Sequence, residues 1–178
     1  QGPLYSGWWG EIAGSATGAG LTGGLSAAFD PAIAADAGGL RYVAWADNRN
    51  GNSEIYVARQ SAWGWEMLGG SAQGAGVSRS PGSSVRPALI LGAGGAPVVA
   101  WTEVTEAGSD IRAARFDAAS GTWAALGDSL SAGGLSQTGT ADRVQLAATA
   151  AGLVAAWLDT GTGAAQVVVR RFDGSAWT

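Results

Sequence analysis

The chain of 178 residues is one domain's worth of polypeptide, and 47% hydrophobic content with 30 glycines describes a packed, turn-rich protein, not a disordered one. It has no Cys, His or Lys, which removes a Ser-His-Asp triad, a thiolate nucleophile, a Cys/His zinc site, a Schiff-base lysine and a Walker-A lysine together. A net charge of −4 without a basic stripe does not suit nucleic acid, and no run of about 18 apolar residues is present to span a membrane.

In chain order, Gln1-Gly2-Pro3 looks like the remnant of a protease-tag site and is kept out of fold reasoning. Tyr5 to Ile12 reads as a short strand, followed by a Gly/Ser/Thr-rich linker from Gly14 to Asp30. Four short runs come next: Pro31 to Ala35, Arg41 to Asp47, Glu54 to Gln60 and Trp63 to Leu68. Asn50-Gly51 predicts a two-residue hairpin turn between the second and third, because both residues tolerate positive φ. A linker from Gly70 to Val85 leads to Pro87–Leu91, Pro97–Glu103, Asp110–Phe116 and Thr122–Leu126. The third linker, Gly127 to Asp142, leads to Arg143–Thr149, Leu153–Asp159 and Gln166–Phe172, and a fourth run is only begun at Trp177-Thr178. Short runs separated by Gly-rich turns read as antiparallel strands, and no segment sustains a 3.6-residue period, so essentially no helix is expected.

The runs repeat. Trp9-Ile12-Ser15, Trp65-Leu68-Ser71 and Trp123-Leu126-Ser129 share the pattern W-x-x-[IL]-x-x-S, while Trp45, Trp101 and Trp157 close V-A-W or A-A-W steps 56 residues apart. A fixed period of this size marks one supersecondary unit stacked on copies of itself. The repeats run 9–64, 65–122 and 123–178 within a single repeat domain, 1–178. The fold class expected is all-β: a β-propeller of three four-stranded antiparallel blades, against a β-sandwich or solenoid as the rival architectures. Propellers close with about four to eight blades, so three need completion. Two remedies stand open: a head-to-tail homo-oligomer giving six blades, each chain lending strand 5–12 to a neighbour's unfinished last blade, or additional blades of a longer chain.

The residues Trp65-Leu68-Gly69-Gly70-Ser71, Pro87-Leu89, Val99-Trp101-Glu103 and Asp110-Ile111-Arg115 resemble the tryptophan-rich blades of secreted bacterial β-propellers, loosely of TolB-like and sialidase-like type. Phe116-Asp117 through Trp123 is similar to the Asp-box turn of sialidase-type blades, and Phe172-Asp173 through Trp177 repeats it loosely. The resemblance implies a propeller and an extracellular or periplasmic setting, with the box as a structural turn. Ser84-Val85-Arg86-Pro87 is faintly similar to the sialidase R-I-P element, but the first copy has Asp30-Pro31 there, and the element is set aside.

Strand direction gathers the second-to-third hairpins and the linkers on one side, with Asp47 and Glu54, Glu103 and Asp110, and Asp159 and Gln166 facing across their hairpins. Opposed carboxylates suit a hard cation, which makes Asp47, Glu54, Glu103 and Asp110 metal candidates. Arg49, where a ligand should sit, favours a solvated hairpin, so no metal and no cofactor is expected. Trp45, Trp101 and Trp157 lie two residues before acids, on the same strand face. Each pair, Trp45 with Asp47, Trp101 with Glu103 and Trp157 with Asp159, either offers a sugar-stacking platform with a hydrogen-bonding acid or fills the wedge between blades. The functional expectation is a non-catalytic binding or scaffold module with a glycan as its ligand. The alternatives are a glycoside hydrolase using a carboxylate pair from Asp47, Glu54, Glu103, Asp110 and Asp159, and a structural self-assembling or engineered repeat fragment.

Overall fold

The computed structural model describes residues 10–12, 14–24, 26–71 and 74–178. The strand expected over 5–12, and Trp9 with it, falls largely outside them. Among the described residues there are eleven strands and two short 3₁₀ turns, Leu68–Gly70 and Ala93–Gly95. No helix there is long and apolar enough to cross a membrane.

Strands β1 (Ala28–Ala35), β2 (Arg41–Asp47), β3 (Glu54–Ser61) and β4 (Gly64–Met67) form one antiparallel sheet in sequential order. The second sheet repeats this with β5 (Ser83–Leu91), β6 (Pro97–Thr105), β7 (Gly108–Asp117) and β8 (Thr122–Ala125). The third contains β9 (Ala141–Thr149), β10 (Gly152–Asp159) and β11 (Gln166–Phe172). It has three strands, and the fourth run, expected only to begin at Trp177-Thr178, forms no strand of its own. A Phe172–Trp177 bridge holds the fourth place, with Arg171 and Thr178 exchanging two 2.8 Å backbone hydrogen bonds. β1 lies beside β5 and β5 beside β9, so the first strand of each sheet faces the common axis. The chain is a partial propeller of three blades, open and not closed.

Alternation along each strand sends side chains to opposite faces. Ala44, Ala46, Ile55 and Val57 of blade one meet Leu89, Val99, Trp101 and Ala114 of blade two in one apolar seam. Val98, Ala100, Ile111 and Ala113 of blade two meet Val144, Ala155, Trp157 and Phe172 of blade three in the next. Burial of each Val, Ile or Leu in such a seam contributes roughly 1.5–3 kcal/mol. The core therefore lies between blades.

The Asn50-Gly51 turn differs from the expectation. β2 and β3 are joined by a six-residue loop, 48–53, with Gly51 at φ +105° and a turn closed from Gly51 N to Asn48 O at 3.0 Å. The reason is local. Asp47 Oδ1 accepts the Arg49 N–H at 2.9 Å and turns the chain before Asn50 is reached.

Candidate functional site

The acids selected by spacing do face one another across their hairpins: Asp47 pairs Glu54, Glu103 pairs Asp110 and Asp159 pairs Gln166. They are not free. Asp47, Glu54, Glu103 and Asp159 are buried, and protein donors occupy their oxygens. Ser80 from the linker donates its N–H to Glu54 at 3.3 Å and its hydroxyl to Glu103, joining an acid of blade one to an acid of blade two. Thr138 repeats the clip one seam later, with its N–H on Asp110 at 3.1 Å and its hydroxyl on Asp159 at 2.6 Å. Glu103 also accepts Ser84 Oγ at 2.7 Å and Trp101 Nε1 at 3.1 Å. Asp159 also accepts Thr140 Oγ1 at 2.8 Å and Trp157 Nε1 at 3.3 Å.

The electrostatics follow from these partners. Burial pushes the Asp47 carboxyl up, but the Arg49 guanidinium at 2.6 Å and the Ser26 hydroxyl outweigh it and hold the group below its ordinary value. Asp159 is also held low, its burial outweighed by Thr138, the Gly161 N–H, Thr140 and Trp157. Glu54 is the exception. Burial dominates over its Ser78, Ser80 and Asn52 donors and raises its carboxyl, and the Glu103 charge adds to the rise.

This corrects the expected sugar platform. Trp45, Trp101 and Trp157 are buried in the apolar clusters, Trp45 stacked on Tyr56 with centroids 5.9 Å apart, so no ring face is open to a sugar. The metal candidates Asp47, Glu54, Glu103 and Asp110 spend their oxygens on Ser, Thr, Asn, Arg and backbone donors, and no group of three or more metal-ligating side chains forms among the described residues. Glu54 and Glu103, and Asp110 and Asp159, are joined across blades by Ser80 and Thr138, whereas Asp47 pins its own hairpin through Arg49 and Ser26.

Accessible carboxylates lie elsewhere, at the axial rim where β1, β5 and β9 begin. Each of these strands bears a non-glycine residue in the left-handed region: Asp30 at φ 52°, Arg86 at 51° and Arg143 at 58°. All three sit at bulges where the register with the next strand shifts. Left-handed backbone costs a residue with a Cβ roughly 1–3 kcal/mol, and such strain concentrates at functional sites. Here it turns polar side chains onto one rim. Asp30 Oδ2 accepts the Arg86 N–H at 3.1 Å, and Arg86 Nη1 donates to Asp142 Oδ1 at 2.6 Å. Thr102 Oγ1 also donates to Asp142, at 3.2 Å, and accepts the Arg143 N–H at 3.2 Å. The Asp142 side chain is 34% exposed and Asp30 is exposed, against 0% for the Asp47 side chain. An adjoining cleft of about 500 Å³ is walled by Arg86, Thr102, Ser109, Thr140 and Asp142, within the usual size of a small-molecule site.

Sequence reasoning assigns no site to this rim. Its signal is the Arg86-Pro87 step similar to the R-I-P element, set aside because Asp30-Pro31 stands at the equivalent point of the first copy.

The Asp-box turns are structural, as the resemblance implied. Asp117 accepts Ala119 N at 2.9 Å and Ser120 Oγ at 2.8 Å. Asp173 accepts Ser175 N, Ser175 Oγ and Ala176 N, donors that lower its carboxyl to about 2.

No protein-family model matches the sequence, and no curated protein does. Solved structures do match the fold. A Hadza microbial sialidase aligns over 94% of this chain at 15% identity with a TM-score of 0.57. A Penicillium chrysogenum α-L-arabinanase complexed with arabinobiose aligns over 85% at 16% identity with a TM-score of 0.56, and a thermostable family-43 glycoside hydrolase over 82% at 16% and 0.53. The chain spans 35%, 48% and 54% of those proteins' lengths. At such identity the likeness shows the propeller fold. It also overturns the expectation of a non-catalytic, non-enzymatic module, because the similar structures are mostly glycoside hydrolases.

Proposed function

We propose that this chain is the catalytic-rim portion of a glycan-cleaving propeller, hydrolysing a glycosidic bond with Asp30 and Asp142. One observation carries the reading: these two carboxylates reach solvent and converge on Arg86 at the axial rim, while Asp47, Glu54, Glu103 and Asp159 are buried. Glycoside hydrolysis needs two carboxyl groups about the scissile bond, one protonating the leaving oxygen and the other activating water or attacking the sugar carbon. Arg86 fixes the rim geometry, and the hydroxyls of Thr102, Ser109 and Thr140 in the adjoining cleft are suited to sugar hydroxyls. The glycan-directed chemistry named for the similar structures supports the substrate class. The closer kinship to tryptophan-rich TolB-like blades, and an extracellular or periplasmic site of action where polymeric glycans occur, belong to the same proposal.

The test is turnover of a panel of aryl glycosides, arabinosides and sialosides included. Asp30→Asn and Asp142→Asn should each lower kcat by roughly 10²–10⁴-fold. Unchanged turnover in both variants, or no turnover of any substrate by the parent chain, contradicts the reading.

A further inference from the structure

The three blades are built alike but do not end alike. In blade one the face turned toward blade two presents Ala46, Ile55 and Val57, each fully buried. The same positions in blade two are Thr102, Ile111 and Ala113, buried against blade three. In blade three they are Leu158, Val167 and Val169, and here exposure rises to 37%, 70% and 59%. The pairing is unchanged, since Leu158 lies opposite Val167 as Ala46 lies opposite Ile55. The surface that is dry in the first two blades is wet in the third.

The opposite end is the complement. Leu89, on the face that blade two offers to blade one, is 6% exposed, whereas its counterpart Ile33 in blade one is 68% exposed. Beside Ile33, an apolar cleft of about 210 Å³ is walled by Leu21, Phe29, Pro31, Val43 and Trp45. Trp45 Nε1 is buried without an acceptor among the described residues, although Trp101 and Trp157 each donate to the acid two residues on. Both faces are halves of the seam the molecule already makes twice. The charges agree as well. Along the rim the row runs Asp30, Arg86, Asp142 and Arg143, and Arg143 stands last with its side chain 67% exposed, where Asp30 of a further blade one comes next.

We infer that the Leu158–Val167–Val169 face docks on the Ile33–Val43 face of a second copy of this chain, where Leu21 of the linker already packs on Trp45, head to tail, continuing the seam. Two copies supply six blades, inside the range of about four to eight at which propellers close. Gln166 stands where Glu54 and Asp110 stand in the other seams, so this third seam has no buried acid on that side and rests on apolar contact. The contact also places the second copy's Asp30 beside Asp142 and Arg143, adding a carboxylate to the rim. The inference rests on packing, and it stands whether or not the rim hydrolyses glycans.

The test is the solution mass of the 178-residue chain by sedimentation equilibrium. Twice the 17.7 kDa of one chain is expected. Val167→Glu with Val169→Glu blocks one face and Ile33→Glu with Val43→Glu the other. Each blocked variant is expected at the mass of one chain with an unchanged far-UV spectrum, and mixing the two variants restores association through their intact faces. A parent chain that stays single at every concentration overturns the inference and assigns the faces to some other cover. Association that survives in either blocked variant overturns it too, since like faces would then be pairing with like.

Discussion

The indoles of the repeat act as latches between blades. Trp65 Nε1 donates to Ile12 O at 3.3 Å, Trp123 Nε1 to Leu68 O at 3.1 Å and Trp177 Nε1 to Leu126 O at 3.0 Å. Ser71 and Ser129, from the same motif, donate to the carbonyls of Val57 and Ala113 on their own blades' third strands. Spacing therefore exposed these residues, because a latch repeated in each blade leaves a periodic trace. Glu54 left none, since its perturbation comes from burial that spacing does not encode. A carboxyl raised above its ordinary value of 4.5 makes the ionised form a burden on the folded state. That burden is complete above the folded pKa and disappears as pH falls to the unfolded value. Asp47 and Asp159 act oppositely: their contribution is present above 3.8 and is lost as pH falls through their lowered folded values. The melting temperature should accordingly rise as pH is lowered from neutrality toward 4.5 and fall below 3.8. In Glu54→Gln the upper rise should flatten while the acid fall remains. An unaltered upper rise in that variant would remove Glu54 as its source.

At the scale of elements, linkers are pinned to strands by close backbone approach. Val77 N donates to Ile55 O at 2.7 Å and Leu135 N to Ile111 O at 2.8 Å, each bond following a left-handed glycine, Gly76 or Gly134. A Cβ on Gly134 would collide with the Ile111 carbonyl oxygen. Gly121 has nearly the same backbone, φ +68° against +57°, with nothing within 4 Å. Gly121→Ala should thus cost only the left-handed strain, roughly 1 kcal/mol, and Gly134→Ala should exceed it, at roughly 2–3 kcal/mol. Equal losses by urea denaturation would mean that the linker is not held against the strand. The strands themselves were legible because alternation and Gly-rich turns are local properties. The 48–53 loop was not, because the Asp47 side chain turns the backbone ahead of the Asn50-Gly51 pair. The axial bulges were hidden for a related reason: a residue with φ near +50° at Asp30 or Arg86 is imposed by the register shift beside it, and neither residue type announces it.

For the whole molecule, the architecture divides labour between seam and rim. Acids in the seams are buried, clipped by Ser80 and Thr138, and hold wedge to wedge. Acids at the axial rim reach solvent, Asp142 in part, and gather around Arg86. Repetition made the seams visible in the sequence and drew the functional reading toward them, whereas the rim breaks the repeat by placing Asp30, Arg86 and Arg143 at equivalent points. The most direct test of this division measures melting temperature and aryl-glycoside turnover together in Glu103→Gln and Asp30→Asn. Glu103→Gln should lower the melting temperature and leave the turnover of its folded fraction near the parent value. Asp30→Asn should melt like the parent and lose turnover. The reverse pattern, a stable but inactive Glu103→Gln beside a fully active Asp30→Asn, would return the chemistry to the seams and contradict the account.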